Sequence, residues 1–212
     1  MKAGIVLDAV RRLLTDKAST RWSDPDLLVW LNMGQRSIAG LIPSAASKRA
    51  TIALVAGIEQ SIPAADGVRL LSVLHNIQAD DTMGRVVTVS TRAEMNDIRV
   101  SWPATSQADV IRHYVYDDDQ PKIFEVWPPA NAGVKLRIVY AALPVDCANR
   151  EADLGIDAIY DGALADYVCF RCYMEDSEDP ADGQKAANHL AAYQQALGVK
   201  AETDQAAVPK RK

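Results

Sequence analysis

The sequence predicts an α+β protein, in which helices from both ends of the chain form a bundle and an antiparallel β domain is inserted between them. Apolar residues recur every three or four positions near both ends, whereas they alternate in the middle of the chain. The 212 residues are 49% hydrophobic, which is enough to bury a core without disulfides or metals. We expect residues 1–46 and 150–198 to form the helical bundle, residues 47–149 the β domain, a small sandwich or open barrel, and residues 199–212 a flexible C-terminal tail.

Two helices are predicted in the N-terminal part of the chain. Ser23 can cap the second one, with Pro25 in its first turn and Asp26 in the capping-box position. Gly34 and Gly40 lie inside this helix and indicate close approach of another backbone. Each helix has one apolar face, formed in the first by Ile5, Val6, Ala9, Val10, Leu13 and Leu14, and in the second by Leu27, Leu31, Ile38 and Ile42, before Pro43 ends it.

The middle of the chain predicts short strands separated by turns, a pattern typical of an antiparallel sheet. Between two of these strands, Thr91 and Glu94 are spaced as the capping box of a short helix. In the last strand Leu136 and Ile138 face one way and Arg137 the other. The predicted strands are Thr51–Val55, Val68–Ile77, Arg85–Val89, Val110–Tyr116, Ile123–Trp127 and Val134–Tyr140.

Helical spacing returns after Asp157 and predicts two more helices. The last of them is expected to end at Gly198, because glycine is typical of a helix C-cap. Lys200–Lys212 has almost no large apolar residues and is predicted to be the tail. The apolar faces of these helices are formed by Tyr160, Leu164, Tyr167, Arg171 and Met174, and then by Ala187, Leu190, Ala191, Gln194 and Leu197.

The charge balance argues against a protein that grips nucleic acid. With 23 basic and 28 acidic residues the net charge is −5, whereas a strongly basic surface is expected where phosphates are bound. A surface past which DNA slides is still compatible with this charge. Three cysteines are too few for a disulfide framework, and no apolar stretch suits a secretory signal or a membrane span. We expect a soluble protein that stays in a reducing cytosol.

The cysteines include one CxxC pair, Cys169 and Cys172, with Cys147 as a third thiol. A zinc site requires four ligands, and the sequence has no second pair. A thioredoxin-type redox pair lies where a strand opens into a helix, whereas this pair lies within a predicted helix. We therefore interpret the three cysteines as residues of the helical core.

Acidic residues cluster at two predicted turns, Asp80–Asp81 and Asp117–Asp119. Such carboxylates can bind magnesium or calcium, but the EF-hand spacing is absent and acidic turns are commonly solvated. His75, His113 and His189 lie far apart with no nucleophile motif nearby, and neither GxGxxG nor a Walker loop occurs. We predict no catalytic residue, no metal and no cofactor.

Two further features leave alternatives open. Trp22 and Trp30 lie at helix-packing positions, so that Trp102 and Trp127 remain for stacking on bases or sugars. The basic end of the chain, Pro209–Lys212, suits contact with phosphates or with an acidic partner surface, and equally a solubilising tail.

Four segments of the chain stand out when they are taken together in order. They are Arg21–Leu28 running into Trp30–Asn32, Gln35-Arg36 and Pro43; Gly57–Pro63 followed by Val68 and Leu71; Tyr116-Asp117 with Pro121–Pro129; and Asp161–Tyr167 leading into Ser177–Asp179. This order resembles the head-to-tail adaptor (neck or connector) proteins of short-tailed, podovirus-type phages, which are similar in role to tail tubular protein A. The resemblance covers roughly residues 20–198, and its motifs are structural rather than catalytic.

The resemblance implies a structural virion protein that is not an enzyme. Family members form a ring, typically a dodecamer, between the portal protein and the tail nozzle, and double-stranded DNA passes through the ring without sequence-specific binding. Such a protein assembles in the host cytoplasm, ends in the virion neck and needs neither a membrane nor a cofactor. A C-terminal extension commonly reaches along the portal, which makes the candidate portal-docking residues Lys200, Pro209, Lys210, Arg211 and Lys212.

Two other functions compete with this interpretation. One is another neck or tail structural protein, such as a completion protein that acts at a different layer. The other is a metal-dependent hydrolase that uses Asp117, Asp118, Asp119 and His113.

Overall fold

The computed structural model describes residues 1–98, 106–175 and 180–207. It confirms the α+β class, with helices at both ends of the chain and strands between them. Two compact units are present: the helical unit, Met1–Ala46 with Pro144–Lys212, and the β unit, Ser47–Leu143. The helices are α1 (Ala3–Leu13), α2 (Asp24–Leu41), α3 (Arg92–Ile98, in the β unit), α4 (Asp161–Glu175) and α5 (Pro180–Ala207).

Helix α4 is the centre of the helical unit, because it packs against α1, α2 and α5. It contributes fully buried side chains, among them Leu164 and Val168, to one core shared with the N-terminal helices. In α1 the buried face consists of Ala3, Val6, Leu7, Val10 and Arg11. The predicted stripe on α1 is therefore correct at Val6 and Val10. It is wrong at Ile5, Ala9 and Leu13, which are exposed, because the buried face follows positions i, i+3, i+4 and i+7 from Ala3.

Helix α2 begins and packs as the sequence predicts. The Ser23 Oγ accepts a hydrogen bond of 3.3 Å from the Asp26 N–H, and all four predicted apolar residues are buried. Gly34 allows close packing against side chains rather than against the backbone that was predicted, since a Cβ there would lie 3.0 Å from side-chain atoms of Leu164 and Tyr167. The expectation of close approach is wrong for Gly40, where a Cβ would meet nothing within 4 Å.

The C-terminal helix is longer than predicted. α5 continues through Gly198 to Ala207, so the predicted helix end at Gly198 is wrong and Lys200 lies in a helix. One glycine costs about 1 kcal/mol in a helix interior. Most of the residues that follow are good helix formers, namely three alanines with Lys200, Glu202 and Gln205, and they offset that cost. Gly198 lacks the positive φ that a glycine C-cap adopts. Its conformation is that of an interior helical residue.

The β unit contains two four-stranded sheets with the orders β1-β8-β3-β4 and β2-β7-β6-β5. Buried side chains from both sheets form one core, so the unit is a sandwich rather than an open barrel. All pairs are antiparallel except β5–β6, which is parallel and departs from the prediction. The strands are β1 (Ser47–Ala53), β2 (Gly57–Ser61), β3 (Gly67–Ile77), β4 (Met83–Val86), β5 (Thr88–Val89), β6 (His113–Tyr116), β7 (Ile123–Ala130) and β8 (Lys135–Ala142).

Strand β8 is central and shows the predicted alternation. Leu136 and Ile138 are fully buried, while Lys135 and Arg137 lie on the outer face of the sheet. β8 pairs with β1 on one side and β3 on the other. Strand β2 was not predicted, because Gly57, with φ +116°, resembles turn punctuation in the sequence.

Candidate functional site

A buried charge network fixes the connection between α1 and α2. The Arg11 side chain is only 6% exposed and donates to Asp24 Oδ1 at 2.5 Å and to the Trp22 carbonyl at 2.9 Å. Arg150 also contacts Asp24 and binds Asp8 on α1. The hydrogen bond from Arg11 is the main cause that holds the pKa of Asp24 below its ordinary value. The network therefore links α1, the start of α2 and the segment that leads to α4.

Asp16 organises the loop within this network. Its carboxylate accepts hydrogen bonds from the backbone N–H groups of Thr20 at 2.8 Å and Trp22 at 3.0 Å, and lies 3.4 Å from Arg11 Nη1. The Trp22 N–H is the main cause that lowers the pKa of Asp16 to about 2. This loop directly precedes the Ser23 cap, so Asp16 positions the beginning of α2.

Replacing Asp16 by asparagine should flatten part of the acid unfolding profile. Asp16 has a pKa of about 2 in the folded protein and an ordinary value of 3.8, so the unfolded state binds the proton more tightly. The contribution of Asp16 to the stability of the folded protein is complete above the pKa that this group has in the unfolded chain. It is lost as the pH falls through the lower pKa of the folded protein. Urea unfolding measured from about pH 5 to about pH 2 should show a smaller loss of stability for Asp16→Asn than for the wild type.

The control for this experiment is Asp119→Asn, an exposed aspartate at the β6–β7 turn. It touches neither Arg11 nor Asp24, so its profile should follow that of the wild type. An Asp16→Asn profile as steep as the wild-type profile would show that Asp16 does not contribute to the acid transition.

A buried polar cluster holds the segment between the β unit and α4 against α2. Asn32 donates through Nδ2 to the Cys147 carbonyl at 3.1 Å, and its Oδ1 accepts from the Cys147 N–H at 2.8 Å. Gln35, which is fully buried, accepts from the Gly155 N–H at 2.7 Å and donates to Asn32 at 3.2 Å. At Gly155 a Cβ would lie 2.8 Å from the Pro144 side chain. These contacts fold the segment back on itself beside α2.

The outer face of the sheet β1-β8-β3-β4 carries an open groove of about 780 Å³, called the basic groove below. Arg137 lies in register with Thr51 on β1 and His75 on β3, and its Nη1 donates to Thr51 Oγ1 at 3.0 Å. Lys135 is paired with Asp81 at 2.9 Å. The basic side chains that define the groove are Arg49, His75, Lys135 and Arg137.

The candidate hydrolase residues are not brought together. Asp118 pairs with Arg69 at 2.7 Å, and the Asp119 N–H donates to Asp117 Oδ1 at 3.0 Å, which forms the β6–β7 turn. His113 lies four residues before Asp117 along an extended strand, about 13 Å away at the usual rise, and is bonded to Thr88 Oγ1 at 2.7 Å. Within residues 1–98, 106–175 and 180–207, no three His, Cys, Asp or Glu side chains are grouped to hold a metal ion.

The cysteines lie in the helical core, as expected. All three are buried and unpaired by disulfides. Burial raises the pKa of the Cys169 and Cys172 thiols to about 12 and raises that of Cys147. Thiols with such pKa values are poor nucleophiles at neutral pH.

The tryptophans do not form a stacking surface in the described part of the chain. Trp22 and Trp30 pack against the helical core as predicted, with the Arg171 guanidinium 4.4 Å from the Trp30 ring. Trp127 is 7% exposed and therefore too buried to stack on a base. Trp102 lies outside the described residues.

The candidate docking residues are at the C-terminal end. The backbone of Lys200 belongs to α5, and Pro209, Lys210, Arg211 and Lys212 lie outside the described residues. None of the described helices is long and apolar enough to cross a bilayer.

The sequence analysis did not predict the burial of several polar residues. Arg11, Asp16, Asn32 and Gln35 are buried but look like residues of polar helix faces or loops. One usable signal was present, since Asn32 and Gln35 lie three apart beside the apolar face of α2 and so share a side of the helix.

The polar clusters of the described residues hold the fold together, while the basic groove and the exposed β6–β7 turn with Asp117, Asp118 and Asp119 lie on the surface. The chain belongs to the SU10 adaptor protein family, whose match extends over residues 1–212. It is therefore a phage adaptor protein, as the resemblance implied, and the family implies a structural, non-enzymatic role. No curated protein matches the chain in sequence.

Proposed function

We propose that the chain is the head-to-tail adaptor of a short-tailed phage, which forms a ring between the portal protein and the tail nozzle. The observation that carries the proposal is the family match over the whole chain. A ring of such subunits, typically a dodecamer, joins two other virion proteins and gives DNA a passage. The protein then resides in the virion neck and assembles in the host cytoplasm.

The helical unit offers apolar surface for these contacts. Large apolar side chains that are more than half exposed occur on its helices and connecting segments, and covering them by a partner removes apolar area from water. They are Ile5, Val29, Leu41, Val145, Ile159 and Met174.

The acidic character of the chain suits the passage of DNA. Each contact between a basic side chain and a phosphate releases counterions and strengthens binding, and many such contacts around a channel would hold DNA in place. With a net charge of −5, the subunit as a whole does not attract a polyanion. DNA can therefore move past the ring without being bound in a particular sequence.

Ring formation is expected to depend on the portal. The free chain should be mainly monomeric, and addition of the portal protein of the same phage should produce a complex with a ring of adaptor subunits. Mass photometry of the pure protein, with and without portal, measures both states. Failure to join a portal ring at any ratio of the two proteins would refute the proposal.

Deletion of Lys200–Lys212 should abolish docking to the portal while the fold is kept. Among the α5 side chains that the structure describes, Ala186, Tyr193 and Leu197 are buried and stay in the truncated chain, and Tyr193 keeps its 2.8 Å hydrogen bond to Ser37. The truncated chain should therefore melt like the wild type. A pull-down on immobilised portal measures the loss of docking.

Two control variants show why the deleted chain no longer docks to the portal. A chain with Lys210→Glu, Arg211→Glu and Lys212→Glu tests whether basic charge alone is required, since it keeps the length. A chain with an unrelated polar sequence in place of residues 200–212 tests whether any extension suffices. Full docking by the deleted chain would show that the C-terminal end is not the docking element.

Another neck or tail structural protein is the remaining alternative. Electron microscopy of the assembled particle, with the adaptor labelled by an antibody fragment, distinguishes the two. The proposal requires the label at the portal–tail junction, and a label at another layer would favour the alternative.

A further inference from the structure

The basic groove is unusual in a chain with a net charge of −5. Asp81 also lines the groove and is paired with Lys135, whereas neither Arg49 nor Arg137 forms an ion pair with any of the described residues. Arg137 lies on β8, and the opposite face of this strand, at Leu136 and Ile138, is fully buried in the sandwich core. The groove therefore lies on the outer side of the sheet. Two arginines concentrated on one outer face attract a partner that carries negative charge.

The β6–β7 turn has the complementary charge. Asp117, Asp118 and Asp119 are exposed, and the hydrogen bond from the Asp119 N–H to Asp117 fixes the turn. Asp118 is paired with Arg69, whereas neither Asp117 nor Asp119 forms an ion pair with any described residue. The turn, called the acidic turn below, therefore presents two carboxylates to solvent.

The acidic turn does not reach Arg137 within one chain. The ion pair of 2.7 Å between Asp118 and Arg69 holds the acidic turn near the beginning of β3. His75, in register with Arg137, lies six residues farther along β3, about 20 Å away at the usual strand rise. An ion pair requires a separation of about 4 Å. A second copy of the chain, however, can bring its acidic turn to this groove.

We propose that the basic groove of one copy binds the acidic turn of the next copy. The contact joins two different surfaces, so it is head-to-tail, and such contacts generate closed rings when the rotation between copies closes. This inference rests on the proposed ring and specifies which surfaces form it. A second copy is a better occupant of the groove than DNA. Binding of DNA requires many basic side chains to neutralise its phosphates, and this acidic chain offers few of them around the groove.

Charge reversal tests the contact in the full-length chain assembled with its portal. Arg49→Glu with Arg137→Glu, and separately Asp117→Lys with Asp119→Lys, should each reduce ring formation at least about tenfold, because like charges then face each other. The chain with all four changes should regain rings. Since it keeps the native net charge of −5, this recovery would not be an effect of overall charge.

The matched control is Arg12→Glu with Lys17→Glu. Both residues are exposed on the helical unit, and the charge change equals that of the arginine pair in the groove. This variant should form rings as the wild type does. Melting curves of all variants verify that each one folds.

Crosslinking gives a readout that does not require a closed ring. A chain with Arg49→Cys and a differently tagged chain with Asp119→Cys are mixed at high concentration and treated with a short bis-maleimide. The native cysteines are buried and do not compete. A crosslink between the two tags is expected, and about 0.5 M salt should reduce it, because salt screens such contacts.

The outcomes separate this inference from the proposed function. If wild-type rings form and the reversal variants assemble equally well, the inference is wrong and the ring stands. If neither rings nor crosslinks form, both are wrong. If a short DNA duplex binds the wild type but not the groove variant, and rings are unaffected, the groove is a DNA surface and the inference is overturned.

Discussion

Replacing Leu31 by alanine should lower the free energy of unfolding of the helical unit by about 2–5 kcal/mol. Leu31 is completely buried in the core that α1, α2 and α4 share. Removing its side chain loses apolar burial and leaves a cavity that the surrounding helices cannot fully close. Leu31 lies on the turn before Gly34, where Leu164 and Tyr167 already pack closely, so the site has little freedom to collapse.

Thiol labelling isolates this effect from the β unit. All three cysteines of the chain are buried in the helical core, so their exposure in a urea series reports unfolding of that unit. Leu41→Ala is the matched control on the same helix, since Leu41 is 65% exposed and should change stability by less than about 0.5 kcal/mol. Equal midpoints for the two variants would contradict the assigned core.

Replacing Asn32 by alanine should cost about 3 kcal/mol or more, because it leaves two buried backbone groups without partners. The N–H and the carbonyl of Cys147 both bond to the Asn32 amide. Gln35 also loses one of its acceptors. The loss falls on the segment that follows the β unit, so this segment should open more readily than the rest of the helical unit.

Native-state labelling with a thiol reagent distinguishes local from global loss. Cys147 should become reactive in Asn32→Ala well before Cys169 and Cys172, which lie within α4. Asn188→Ala is the control, because Asn188 is exposed on α5 and its side chain accepts a hydrogen bond from Gln184, one turn away on the same helix. Simultaneous reaction of all three thiols in Asn32→Ala would show that the polar cluster acts on the whole unit rather than on this segment.

The features that follow local rules were predictable from the sequence. Ser23 and Asp26 cap α2, and the Thr91–Glu94 capping box closes as expected, with bonds of 2.8 and 3.2 Å. The alternation in β8 placed Leu136 in the core, because a strand buried on one face has a period of two. In each case the signal and the structure that it specifies lie within a few residues.

Features that depend on distant partners were not predictable. Arg11 appears as a solvent-facing residue until Asp16, Asp24 and the Trp22 carbonyl surround it. Strand β2 forms by pairing with β7, about 65 residues later, and begins at a glycine. The basic groove combines Arg49 from β1 with Arg137 from β8, which no local spacing connects.

The ends of the β unit lie side by side, since Ser47 at its start is paired with Ala141 near its end. A segment that enters and leaves at one place can be lengthened, shortened or replaced by another sandwich without rerouting the chain on either side. The helices that precede and follow this segment can therefore keep their own packing when its loops or strands change in length.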